Sequence, residues 1–87
     1  MQTTILLKDR VYQLRKKARL TQQELGEILG LTSKSISVLE SGQHGTTIEK
    51  LVILAEYFHV STDYLLGITD DPAWLGGPLE ESGGNQF

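Results

Sequence analysis

The residues with most chemical content lie between Thr21 and Ser41, in the run TQQELGEILGLTSKSISVLES. Thr21-Gln22-Gln23-Glu24 is a capping-box pattern that opens a helix, and the free N–H groups at such an N-terminus favour an anion beside Gln22. Leu25 and Leu29, four apart, share one helix face, while Ile36 and Leu39, three apart, share a second. Gly30 and Leu31 stand between, where the chain must turn sharply and only Gly takes positive φ cheaply. Two short helices joined by a tight glycine turn make a helix-turn-helix, whose second helix can enter the major groove of DNA. Bond-making chemistry has no comparable support. The chain has no cysteine, its two histidines fall in different elements, and Asp70-Asp71 before Pro72 reads as turn chemistry. HxxxH, HExxH and phosphate-cradling glycine loops are absent, so we expect no enzyme activity, metal or cofactor.

The elements that must position this unit follow from periodicity. Helix one is expected from about Leu6 to Ala18, with Leu7, Val11, Leu14 and Ala18 on one buried face and Thr3 or Thr4 as its cap. Lys16, Lys17 and Arg19 crowd its last turn, where cations suit the helix dipole. Helix two ends at Gly30; helix three follows a Thr32 cap and stops at Ser41-Gly42. Helix four is expected after Thr46-Thr47-Ile48-Glu49, a second capping-box pattern, carrying Ile48, Leu51, Leu54, Ala55 and Phe58 inward, with His59 as a favourable C-terminal residue. Helix five runs from about Thr62 to Leu66, capped by Ser61 and closed by Gly67. Beyond Gly67, Pro72, Pro78 and a run of glycines predict a flexible tail. Trp74 is bulky within it, which fits either folding back on the domain's own surface or contact across a dimer.

Eighty-seven residues allow one small domain, and 39% hydrophobic content with 7% aromatic suits a helical bundle. The absence of cysteine fits a reducing cytoplasm. Leu51–Ala55, the longest apolar run, is far short of a membrane span, and the start MQTTILLKDR does not read as a signal peptide. Net charge is −3, yet the two halves differ. Residues 1–45 carry seven Lys and Arg against four acids, for +3; residues 46–87 carry Lys50 alone against seven acids, for −6. The positive half is the one containing the helix-turn-helix, and local potential is what phosphates meet.

From Leu7 to Gly67 the chain resembles the five-helix DNA-binding domains of lambdoid phage repressors and Cro proteins, and the xenobiotic-response-element type family of bacterial regulators. The likeness rests on LRKKARLTQQELGEILGLT, SKSISVLESG and ILAEYFHVSTDYLLG. It implies an all-α fold, a compact five-helix bundle over residues 1–67; composition makes residues 68–87 a flexible acidic tail with Gly and Pro. Gly26 stands where the family usually has Ala; both are small enough for close crossing of helices two and three, although Gly costs ~1 kcal/mol in helix propensity. The resemblance further implies that Ser33, Lys34, Ser37 and Val38, on the outer face of helix three, contact bases. Lys34 can reach guanine O6 and N7 or a nearby phosphate, and Val38 a thymine methyl. Phosphate contacts are implied for Gln22, Thr32, Ser41 and Gln43, with Thr21 and His44 beside them. Arg15 and Glu40 match a partly buried ion pair that fixes helix three. No Arg, Asn or Gln lies in helix three, so specificity leans also on dimer spacing and DNA shape.

These residues predict a repressor that binds double-stranded operator DNA as a homodimer, because two helices one DNA turn apart, ~34 Å, impose a palindromic site. Val60, Tyr64, Leu66 and Trp74 are the candidate dimer contacts. The same fold also serves antitoxins that bind a toxin and repress their operon, activators that touch RNA polymerase (here through Glu24 and Glu27), and interaction bundles without DNA binding. No membrane partner is expected.

Overall fold

Hydroxyl side chains start four of the five helices. Thr21, Thr32, Thr47 and Ser61 sit in extended backbone, and each side-chain oxygen accepts the N–H three residues on, from Glu24, Ser35, Lys50 and Tyr64 at 3.0–3.2 Å. A computed structural model describes residues 5–74 and contains, among them, α1 Leu7–Lys17, α2 Gln22–Leu29, α3 Ser33–Ser41, α4 Ile48–Phe58 and α5 Thr62–Leu66, with no strand. The fold is all-α, as the patterning predicts.

The differences from expectation lie at helix ends. Leu6 holds the N-cap position of α1 without a side-chain hydrogen bond, and the expected caps Thr3 and Thr4 lie outside the described residues. Helix four begins one residue later than a Thr46 cap requires: Thr47 is the cap, Lys50 occupies the third helical position, and no reciprocal capping box forms. Ile48 is the first residue of α4 and is 80% exposed instead of facing inward.

The core is formed by Leu7 and Val11 of α1, Leu25 and Leu29 of α2, Ile36 and Leu39 of α3, Leu54 and Ala55 of α4, then Val60 and Leu65. Leu14, Leu51 and Phe58 pack against its margin. Ala18 is exposed, because the chain leaves the helix there and Arg19 takes a left-handed conformation (φ 61°). The buried stripe of α1 includes two arginines, Arg10 and Arg15, that apolar periodicity could not reveal. Helix α3 packs on both α2 and α1, while α5 rests on α1 and α4.

The turn between α2 and α3 is a Schellman closure. Gly30 takes φ 72°, its N–H donates to the Glu27 carbonyl at 3.3 Å, and the Leu31 N–H donates to the Gly26 carbonyl at 2.7 Å. The chain folds back so closely that a Cβ on Gly26 would stand 2.6 Å from the Leu31 carbonyl oxygen. Ala and Gly are thus not equivalent at this position: the limit is the turn's own backbone, which yields less readily than a side chain.

Residues 68–74 return to the helices. The Ser61 N–H donates to the Pro72 carbonyl at 3.2 Å, Arg10 bonds Asp70 at 2.8 Å, and the Trp74 ring stacks on His59 with centroids 5.2 Å apart. Trp74 thereby takes the fold-back arrangement within its own protomer; the expected glycine-rich segment from residue 75 onward lies outside the described residues.

Gly26→Val should lower stability by about 3 kcal/mol through overpacking against the turn, measured by urea unfolding. Asp70→Asn should loosen residues 68–74 while leaving the helices intact. Trp74 is the single tryptophan, so its emission should shift to the red and its acrylamide quenching should rise, with unchanged far-ultraviolet circular dichroism.

Candidate nucleic-acid interface

The candidate interface lies on α3, and the order of its side chains follows from helical period. Ile36 and Leu39 point into the core at 0% and 4% exposure, which turns Ser33, Lys34 and Ser37 out to solvent and leaves Val38 half-buried at the edge. The four expected base-contacting residues thus share one accessible face. Lys34 has no hydrogen-bond or ion-pair partner among the described residues, so its ammonium is available to an external acceptor.

The expected phosphate-contacting residues lie at the ends of α2 and α3, and most are already employed in capping. Thr21 and Glu24 form the reciprocal capping box, with the Glu24 carboxylate accepting the Thr21 N–H at 2.8 Å. Thr32 caps α3 and its hydroxyl also donates to Ser35 Oγ at 3.1 Å. Ser41 donates to the Val38 carbonyl at 2.7 Å and accepts the Gln43 N–H at 3.3 Å, which orders the exit from α3. Gln43 and His44 are exposed on the loop that follows. These hydroxyls shape the backbone that would meet an anion, and their remaining lone pairs and protons are limited.

Gln22 has a second role that its sequence position does not disclose. Its Nε2 donates to Glu40 Oε1 at 3.1 Å, leaving one further N–H on that nitrogen. Glu40 Oε1 also accepts from Arg15 Nη2 at 3.0 Å, Glu40 Oε2 accepts from Arg15 Nε at 2.6 Å, and Arg15 Nη1 donates to the Leu20 carbonyl at 2.8 Å. The Arg15 and Glu40 side chains are 9% and 5% exposed. This network joins α1, the α1–α2 link, the start of α2 and the end of α3. The hydrogen bond to Glu40 outweighs burial and raises the Arg15 pKa above its ordinary value, so the guanidinium stays charged at any working pH. A sequence pattern could not find the Gln22–Glu40 contact, since eighteen residues separate the partners.

The expected dimer contacts divide. Val60 is 6% exposed and belongs to the core, because the chain after α4 turns it inward; it cannot line an interface. Tyr64 lies under the Arg10 guanidinium, with Cζ 4.0 Å from the ring centroid, and Leu66 is half-buried. Trp74 is half-buried against His59. Arg10, whose pKa is raised chiefly by its hydrogen bond to Asp70, was not among the expected functional residues. Among the described residues no group of three His, Asp or Glu could hold a metal, and no helix is long and apolar enough to cross a membrane.

A capped α2, a left-handed glycine turn and an exposed α3 face anchored by a buried ion pair define a helix-turn-helix domain. The helix-turn-helix family model matches residues 11–65, and the chain belongs to that family, the Cro/C1-type transcriptional regulators. Over 64 residues it is 44% identical to the uncharacterised HTH-type transcriptional regulator YobD of Bacillus subtilis (strain 168), covering 74% of this chain and 57% of that protein. It is 36% identical to the HTH-type transcriptional regulator AnsR of the same organism, over 68% of this chain and 51% of the relative. The chain thus spans a little over half the length of these relatives. Among solved structures, the P22 c2 repressor in complex with a synthetic operator is similar at 30% identity and a TM-score of 0.65, over 76% of this chain and 96% of that one. A transcriptional regulator from Listeria innocua is similar at 26% identity and a TM-score of 0.70, over 93% and 68% of the two chains.

Removing either half of the buried pair strands a charge. Arg15→Met or Glu40→Ala should each cost about 3–5 kcal/mol in urea unfolding, whereas the double variant should cost less than the sum of the two.

Proposed function

We propose that this chain is a DNA-binding transcriptional repressor that acts in the cytoplasm as a homodimer on a palindromic operator, with α3 in the major groove. The observation that carries the reading is the outer face of α3: Ser33, Lys34 and Ser37 are exposed on a helix whose opposite face is locked into the core, and the lysine is unpaired. A rigid helix with hydroxyls, one cation and an apolar edge can meet base edges, and its supporting network keeps those groups in register. The likeness to the P22 c2 repressor solved in complex with a synthetic operator supports the same assignment.

In this reading Lys34 contacts guanine or an adjacent phosphate, Ser33 and Ser37 accept or donate to base edges, and Val38 meets a thymine methyl. Gln22, with its remaining amide N–H at the start of α2, contacts a phosphate, and Thr21, Thr32, Ser41, Gln43 and His44 line the same path. Tyr64, Leu66 and Trp74 offer a partner copy a surface away from α3. A single recognition helix spans few base pairs, so pairing two protomers supplies both affinity and the symmetry of the site.

Selection from genomic DNA fragments tests this reading directly. We expect a two-fold symmetric site with half-sites about one helical turn apart. Lys34→Ala should weaken it by about tenfold and relax the preference at one position in each half-site. Recovery of an asymmetric site, or a preference unchanged by Lys34→Ala, would remove α3 from the role of reader.

A further inference from the structure

A cleft of about 610 Å³ opens between the end of α1, the end of α4 and residues 71–74. Leu14, Phe58 and Val60 give it an apolar floor. Lys17 stands in the wall made by α1, and Asp71 and Trp74 in the wall made by the returning segment. The Asp71 carboxylate accepts the Ala73 N–H at 3.0 Å and is engaged in that turn. Lys17 has no ion-pair or hydrogen-bond partner among the described residues.

Lys17 is one of three exposed cations at this corner, with Lys16 beside it and Arg19 two residues on. None of the three has an acidic partner among the described residues. Lys16 and Lys17 suit the C-terminal end of the α1 dipole. Arg19 lies past the helix at φ 61°, which glycine takes without strain and an L side chain does not, so the dipole does not account for it. Helix α2 begins at Gln22, three residues after Arg19, so the cations adjoin its N-terminus.

The described chain ends at Trp74, in the wall of this cleft, and residues 75–87 continue from there. They hold two acids, Glu80 and Glu81, directly after Leu79, and no Lys or Arg. Six residues lead from Trp74 to Glu80 and reach about 20 Å when extended, while Lys17 lines the same cleft as Trp74. We propose that residues 75–81 fold back into this cleft as an autoinhibitory segment. Leu79 covers the apolar floor, and Glu80 and Glu81 pair with Lys17 and its neighbours Lys16 and Arg19. Asp71 in the other wall repels these acids and directs them to α1. Tethering holds the segment at about millimolar effective concentration, so surface pairs that are weak one by one suffice. Docked acids cancel positive potential beside Gln22 and weaken DNA binding. The effect on DNA rests on the DNA-binding reading above; the docking does not.

The chain has no cysteine, so Ser82→Cys accepts a single nitroxide label on the whole protein. Nuclear magnetic resonance should show amide broadening concentrated on residues 14–19, fading at high salt. It should be lost in Leu79→Ser and in Glu80→Gln/Glu81→Gln. A mixture of spin-labelled protein with nitrogen-15 protein lacking the label should show none of it. Without the label, both variants should bind an unrelated duplex about threefold more tightly at low salt, Leu79→Ser doing so with no change of charge. In a Lys17→Gln background the gain from Glu80→Gln/Glu81→Gln should shrink. Broadening that is spread evenly, or centred on another face, overturns the docking. Broadening in the mixed sample gives the cleft to a second copy and overturns it equally. Docking without any gain in DNA affinity overturns the inhibition. If neither wild type nor variants bind duplex DNA, the DNA-binding reading falls and the inhibition with it, while the label still decides the docking.

Discussion

Arg15 and Glu40 hold helix α3 where it is. Helix α3 has only nine residues, and isolated helices of that length are marginal in water. Its inner face contributes two core side chains, Ile36 and Leu39, which set its depth but restrain its rotation and sliding weakly. The bidentate bond from Arg15 to Glu40 supplies a directional restraint at the far end of the helix, and Gln22 and the Leu20 carbonyl extend it to the neighbouring segments. A buried pair of this kind is not a large net source of stability. Its value lies in orientation: the guanidinium fork accepts one geometry of carboxylate, and that geometry points the outer face of α3 away from the bundle.

The same pair explains how one short helix can be both a core element and a rigid exposed polar face. In α3 the side chains that bond backbone groups, Thr32 and Ser41, do so at its two ends, leaving the middle of the outer face free of such commitments. Ser33, Lys34 and Ser37 are consequently exposed without a structural task, while the hydroxyls of Thr32 and Ser41 keep the ends in place. Positive charge collects on this side despite a net charge of −3, since the acids concentrate in residues 46–87. Lys50 is the one cation of that half, and the fold carries it back across to the positive side.

A second arginine organises the opposite part of the molecule. Arg10 is almost fully covered, lies over Tyr64 of α5 and bonds Asp70 of the returning segment, so α1 bears on α5 and on residues 68–74 together. Trp74 completes that return by stacking on His59 at the left-handed end of α4. The outer surface of this part of the molecule is therefore shaped by this segment as much as by α5.

Local features were legible in the chain itself. Capping hydroxyls at Thr21, Thr32 and Ser61, closing glycines at Gly30, Gly42 and Gly67, and apolar spacing in α2 and α3 give the bounds of α2, α3 and α5, because each depends on contacts within a few residues. The Arg15–Glu40 pair was read from resemblance, and the positive character of the first half from charge counting. The expectations that differ fall at the margins of elements: Ile48, the first residue of α4, is exposed where periodicity put it inward, and Val60, expected at a dimer contact, lies in the core. Tertiary structure alone decided that Gln22 shares Glu40 with Arg15, that Arg10 is buried under its own partners, that Gly26 faces the Leu31 carbonyl, and that Lys50 joins Lys34 around one cleft. Each of these depends on how helices pack at distances along the chain that no local pattern encodes, and hydrophobic spacing says which face is buried without saying which polar groups meet there.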